Sequence, residues 1–241
     1  MERLLQFQLS RKLVMGNGAL SELPVIMEQL KCKKPLIVTD KGVVKAGIDT
    51  VVKKILKDKN LEYASFEDVE PDPRIQIVLD CLDKAKAEKC DAMIGLGGGS
   101  SLDIAKVAAV LMTNTGDISS YFGIGNIPQE GIPTVMIPTT SGTGSEVTPI
   151  AILSDKNEQL KKGIVSEYLY PSYALVDPEL TLSLPPHVTA YTGIDALTHA
   201  IEAYTNRFAQ PFVDTLALEA IRLIGANLRI AVKEGKNKQA R

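Results

Sequence analysis

The run DAMIGLGGGSSLDIAK, residues 91–106, combines the residue types best suited to binding a phosphate. Three consecutive glycines, Gly97, Gly98 and Gly99, follow a buried-strand pattern and lead into a helix whose start holds Ser100, Ser101 and Asp103. Glycines lack a Cβ, so a phosphate can approach the backbone, and a helix N-terminus adds free N–H groups and the positive end of its dipole. The same residues also fit a plain strand-to-helix turn capped by Ser100 or Ser101. The dinucleotide fingerprint is not met as usually written. Gly95 and Gly97 are followed by Ser100 in the third glycine position, and no acidic residue closes a strand about 20 positions later. Asp40 closes an earlier strand instead, in LIVTD. There it can accept hydrogen bonds from adenine-ribose hydroxyls and repel a 2′-phosphate, or simply cap the next helix.

Two further stretches carry candidate chemistry. In IPTTSGTGSEVTP, the residues Thr139, Thr140, Ser141, Thr143, Ser145 and Thr148 crowd hydroxyls and amides around Gly142 and Gly144. Such a segment can wrap a polar ligand or be an ordinary flexible loop. In GIDALTHAIEAY, Asp195 and His199 stand four apart on a helical pattern and so share a face, which Thr192 and Glu202 extend as a polar stripe. A carboxylate and an imidazole at that spacing can hold one divalent cation, and they equally fit a solvated Asp–His pair. Two ligands fall short of the three or four of a zinc or iron centre. The other of the two histidines, His187, reads as a helix-start residue.

The elements that must position these residues alternate. Buried-strand patterns at residues 34–40, 61–69, 91–96 and 132–140 are separated by helical patterns at 51–60, 74–90 and 101–114. This βαβ alternation predicts a parallel sheet covered by helices on both faces. Around Pro185-Pro186 the pattern changes, and residues 187–206 and 212–235 read as helices. The division expected is an α/β domain over residues 1–184 and a helical part over 185–241 that is thin for a domain burying its own core.

Composition excludes several classes. A chain of 241 residues with 45% hydrophobic and 23% charged content is neither disordered nor fibrous. Lys+Arg 27 against Asp+Glu 29 gives a net charge of -2, which argues against nucleic acid or an anionic membrane as partner. Cys32, Cys81 and Cys90 are odd in number and form no C-x-x-C pair, so neither a disulfide framework nor a zinc ribbon is expected. No signal-peptide pattern and no apolar run near the ~18 residues of a membrane span are found, so the cytoplasm is the expected location.

Taken in order, Gly16-Asn17-Gly18, Thr39-Asp40, Glu70-Pro71-Asp72-Pro73, GGGSSLDIAK, PTTSGTGSEVTP, LVDPELTLSLP and GIDALTHAIEAY resemble the iron-containing (group III) alcohol dehydrogenase family. The resemblance implies a parallel-sheet dinucleotide-binding α/β domain followed by the start of an all-helical, dehydroquinate-synthase-like domain. It implies oxidation of alcohols to aldehydes or ketones, and the reverse, with NAD (NADP less favoured) and a divalent metal, iron or zinc. Carried over, Asp40 stands beside the adenine ribose, and Gly97, Gly98, Gly99, Ser100 and Ser101 form the pyrophosphate loop. Thr139, Thr140 and Thr148 match the threonine-rich cofactor loop, and Lys162 its lysine, with Lys161 the alternative. Asp195 and His199 match the first two metal ligands, and no separate side-chain base is expected. Asp72 matches a cofactor-contacting position where the family commonly has asparagine. The family's two further metal-binding histidines lie beyond Arg241, so the expectation is an N-terminal part of a family member with little or no dehydrogenase activity alone. A polyol dehydrogenase relative and a non-catalytic nucleotide-binding fragment are the alternatives. The implied partner is a small alcohol or aldehyde, and a homo-oligomer is left open.

Overall fold

The computed structural model describes residues 4–155 and 158–241, which form two compact units. The larger comprises Leu9–Thr139 and Ser145–Asp177, and the smaller gathers Thr140–Gly144 and Pro178–Arg241 with residues 4–8.

In the larger unit β1 (Leu13–Met15) leads through α1 (Leu23–Gln29) to β2 (Pro35–Asp40), α2 (Lys41–Lys45) and α3 (Ile48–Asp58). Then follow β3 (Ala64–Val69), α4 (Ile75–Ala87), β4 (Ala92–Gly97), α5 (Gly99–Leu111), β5 (Gly123–Ile124) and β6 (Thr134–Pro138). The antiparallel pair β7 (Ile150–Asp155) and β8 (Leu160–Val165) precedes the last strand, β9 (Tyr173–Val176). Six strands form one parallel sheet in the order β1-β9-β6-β4-β2-β3. Its central strands are buried along their length, as their unbroken apolar runs require when both faces are covered. Right-handed crossovers put α1, α2 and α3 on one face and α4 and α5 on the other, because the chain moves toward β3 after β2 and away from it after β3. Asp177, just past β9, accepts from the N–H groups of Gly18 (3.2 Å) and Leu20 (3.1 Å), which ties LVDP to the Gly16-Asn17-Gly18 turn.

The expected strands and helices hold in type, but β1, α1, α2 and β9 were not among them, and two further differences appear. Gly97 still belongs to β4 and α5 opens at Gly99, so the expected glycine loop is one residue long and the helix starts two residues before the expected Ser101. The second sheet, β5-β8-β7, was not foreseen, because LKKGIV lacks an apolar run and its partner β7 follows what reads as a polar loop.

The smaller unit is built on α6 (Pro186–Thr205) and α7 (Pro211–Lys233), each with proline in its first turn, where no N–H is needed. Gly193 sets their approach: a Cβ there would lie 2.2 Å from Leu228 Cδ1. Among the described residues, no helix is long and apolar enough to cross a membrane.

Candidate functional site

The strand order reverses direction between β2 and β4, and the carboxyl ends of such a pair open the crevice where parallel sheets bind ligands. Asp40 ends β2 and Gly97 ends β4. Asp40 caps α2 by accepting from the N–H groups of Gly42 (2.8 Å) and Val43 (3.1 Å) through Oδ1, while Oδ2 accepts from Ser101 Oγ at 3.4 Å. The cap and the ribose acceptor are therefore compatible, since they use different oxygens. Gly97 has φ 151°, and a Cβ on it would lie 2.6 Å from Ser101 Oγ and 3.1 Å from Asp40 Oδ2, so only glycine closes this corner.

Gly98 is the N-cap of α5, with φ -78°, and no side chain caps this turn. The expected caps Ser100 and Ser101 lie inside the helix instead. The N–H groups of Ser101 and Leu102 reach Gly98 O at 3.0 and 3.2 Å, which leaves those of Gly99 and Ser100 for an external acceptor. A bare corner, a carboxylate at the neighbouring strand end and an uncapped helix start fit the ribose and pyrophosphate of a dinucleotide.

Thr139 follows β6, is 2% exposed, and donates its N–H to Gly97 O at 2.9 Å, so it borders the same corner. Thr140 is half-buried at the start of the segment Thr140–Gly144. Ser145–Val147 forms a short 3-10 turn, and Ser145 Oγ donates to Asp103 Oδ1 at 2.5 Å. Asp103 does not lie in the first turn of α5, as expected, but one step beyond it, where Oδ2 also accepts from Ile152 N–H at 2.9 Å. Lys106, 1% exposed, lies 3.3 Å from Asp103 and donates to the carbonyls of Ser145 (3.0 Å), Thr148 (3.5 Å) and Ile150 (2.5 Å). Burial pushes the Lys106 ammonium below its ordinary value while Asp103 pulls it back up, and burial raises the nearby Glu146 carboxyl. Sequence reading passed over Lys106. Its signal was a lone lysine three positions from an aspartate in an otherwise apolar helix, a pattern that demands a buried partner.

The lysine candidates part company. Lys162 pairs with Asp155 (3.0 Å) and Glu158 (2.7 Å) within the β7–β8 hairpin and stands over the Phe122 ring. The hydrogen bonds it donates to Glu158 and Asp155 raise its pKa. Lys161 instead reaches Asp72 Oδ1 at 2.6 Å. Asp72 has φ 52°, a left-handed conformation that asparagine and aspartate both tolerate.

Asp195 and His199 lie on α6 with Nε2 to Oδ1 at 3.8 Å and side chains 45% and 53% exposed. Among the described residues, no group of three or more His, Cys, Asp or Glu is placed to hold a metal ion. The pair offers two donors of the right type on one face, which does not amount to a complete centre.

The family described as iron-containing alcohol dehydrogenase matches residues 10–178, and its C-terminal part matches residues 189–241. The sulfoacetaldehyde reductase of Bilophila wadsworthia is 44% identical over 231 residues, covering 96% of this chain and 60% of that protein. A solved 1,3-propanediol oxidoreductase superposes with a TM-score of 0.96 at 39% identity, over 99% of this chain and 62% of its own. The sulfoacetaldehyde reductase of Bifidobacterium kashiwanohense, solved in complex with NAD+, gives 0.93 at 34% identity, over 99% of this chain and 63% of its own. The chain thus spans about three-fifths of the length of the relatives it matches. Matches across both of its units show that the chain belongs to the iron-containing alcohol dehydrogenase family.

Proposed function

We propose that this chain binds NAD and serves hydride transfer between a small alcohol and the corresponding aldehyde or ketone. The observation that carries the reading is the meeting of Asp40, Gly97 and Ser101 at the switch point of the parallel sheet. Asp40 accepts from the adenine-ribose hydroxyls, and the N–H groups of Gly99 and Ser100 hold the pyrophosphate, with Gly97, Gly98 and Ser101 shaping the corner. When bound, the nicotinamide supplies a hydride acceptor or donor at C4. Thr139, Thr140 and Thr148 orient the remainder of the cofactor. Lys162, or Lys161 with Asp72, lines its approach. Residues 1–184 carry this binding work in our reading, and residues 185–241 carry the metal ligands.

Asp195 and His199 are the two donors the chain contributes toward a divalent ion, iron or zinc. Two donors leave the centre incomplete, so what this chain's own residues do is hold and orient the cofactor. That observation also favours a second reading, in which the 241-residue chain binds the nucleotide without turning over. Three cysteines, all buried and free, suit a reducing, cytoplasmic setting. The test is titration of the chain with NADH, followed by fluorescence, beside an assay of ethanol and 1,3-propanediol oxidation with added Zn²⁺ or Fe²⁺. Saturable NADH binding supports the cofactor reading and its absence overturns it. Turnover separates the two readings.

A further inference from the structure

We propose that Asp103 and Lys106 are positioning residues for the cofactor, a buried ion pair on α5 that fixes the backbone of residues 145–152 and so places Thr148. This rests on the dinucleotide reading above. Lys106 directs its ammonium at the carbonyls of Ser145, Thr148 and Ile150, and Asp103 takes the Ser145 hydroxyl on one oxygen and the Ile152 N–H on the other. Five hydrogen bonds thus run from two helical side chains to one eight-residue segment. Stability alone does not explain the arrangement, because a buried ion pair replaced by apolar residues of similar volume is often neutral or favourable. The surrounding helix is already apolar, with Leu102, Ile104, Ala105, Val107 and Ala108 all at most 2% exposed, so a methionine would suit the packing. What apolar contacts would not supply is directional grip on carbonyls.

The geometry gives that grip a purpose. Asp103 and Lys106 lie within about 10 Å along the axis of the helix start at Gly99. One rigid helix therefore presents the pyrophosphate cradle at its first turn and holds the threonine-bearing segment from its next two turns. Asp40, Gly97 and Thr139 stand at the ends of the neighbouring strands β2, β4 and β6. The ADP half of a dinucleotide laid from Asp40 to the start of α5 is held by the ends of β2 and β4 and the first turn of α5. Its nicotinamide half continues past β4 toward β6 and residues 145–152, the part that Lys106 and Asp103 fix.

The test exploits this division. The 241-residue chain and its variants Lys106→Met and Ser145→Ala are titrated with NADH by fluorescence and with ADP by calorimetry, and folding is followed by circular dichroism. The expected result is an NADH Kd raised about tenfold, the loss of roughly one good hydrogen bond, with the ADP Kd unchanged within about twofold. A merely structural role would weaken both ligands together. Unchanged NADH affinity, or equal losses for NADH and ADP, overturns the proposal. Should Lys106→Met fail to fold, Ser145→Ala decides alone, since it removes one bond to the segment and leaves the buried pair intact. Failure of the parent chain to bind either ligand overturns the cofactor reading along with it.

Discussion

At the residue scale, Asp40 is the position where one carboxylate is asked to do two jobs. It caps α2 through Oδ1 and leaves Oδ2 toward the corner at Gly97. A 2′-phosphate beside it would meet a like charge at a cost on the order of a kcal/mol or more at an effective dielectric near 20. Asp40→Gly should raise NADPH affinity relative to NADH by about tenfold. Glycine is itself an acceptable N-cap, so the variant should lose only a few tenths of a kcal/mol of stability. Fluorescence titration with both cofactors checks this, and equal binding of the two by the parent chain would end the idea. The two neighbouring glycines should behave differently. Gly97→Ala places a Cβ against Ser101 at φ 151° and should destabilise the fold by about 1–3 kcal/mol. Gly98→Val sits at φ -78°, which valine accepts, so the fold should persist while NADH binding falls. A Gly98→Val chain with parental NADH affinity would make the turn purely structural. Asp40 and the glycines were legible as a strand end and a tight strand-to-helix turn, because their types and order suit such a corner. Lys106 was not, because its acceptors at Ser145, Thr148 and Ile150 lie 39 to 44 positions away and are backbone atoms. Nothing local encodes them.

At the element scale, the central strands were legible for a simple reason: a strand buried on both faces must be an unbroken apolar run, and β2, β4 and β6 are. The order of strands was not legible, since apolar runs carry no record of their neighbours. The sheet also depends on polar joints at the ends of its strands. Asp91, just before β4, accepts from the N–H groups of Lys33 (2.8 Å) and Lys34 (2.9 Å) and from the Cys32 thiol (3.0 Å), clamping the entry of β2 to that of β4. Burial pushes its carboxyl up, but the thiol and the amides outweigh this and hold it below the usual carboxylate range. A carboxyl lowered in the folded state adds stability that is present above its unfolded value, near 3.9, and is lost as pH falls through the folded value. Asp91→Asn should therefore cost about 1 kcal/mol at pH 7, a modest figure because the group is partly exposed. The parent and the variant should converge as pH drops well below 4. Urea unfolding at pH 7 and at pH 2.5, followed by circular dichroism, measures the gap. A gap of equal size at both pH values would remove the charge from the explanation.

At the scale of the whole molecule, the larger unit closes its own core, whereas α7 of the smaller unit leaves Phe212, Leu216, Leu218 and Leu223 between 45% and 56% exposed. The same unit carries the two candidate metal donors, and the same shortage marks both features. Helices two in number cannot cover each other's apolar faces on all sides, and one face of one helix cannot surround a cation. Asp195 and His199 at 3.8 Å, about half exposed, must compete with water for a divalent ion. A tight site needs three or four ligands, as well as partners that orient the imidazole. The 241-residue chain should therefore take up Zn²⁺ weakly, without a stoichiometric break in a calorimetric titration at micromolar protein. His199→Ala should abolish what binding there is. NADH affinity should be the same with and without the substitution, because the proposed ribose and pyrophosphate contacts draw on Asp40, Gly97 and the start of α5, all in the larger unit. A tight one-to-one zinc site that survives His199→Ala would place the metal elsewhere. A parallel fall in NADH affinity would mean that cofactor binding depends on α6.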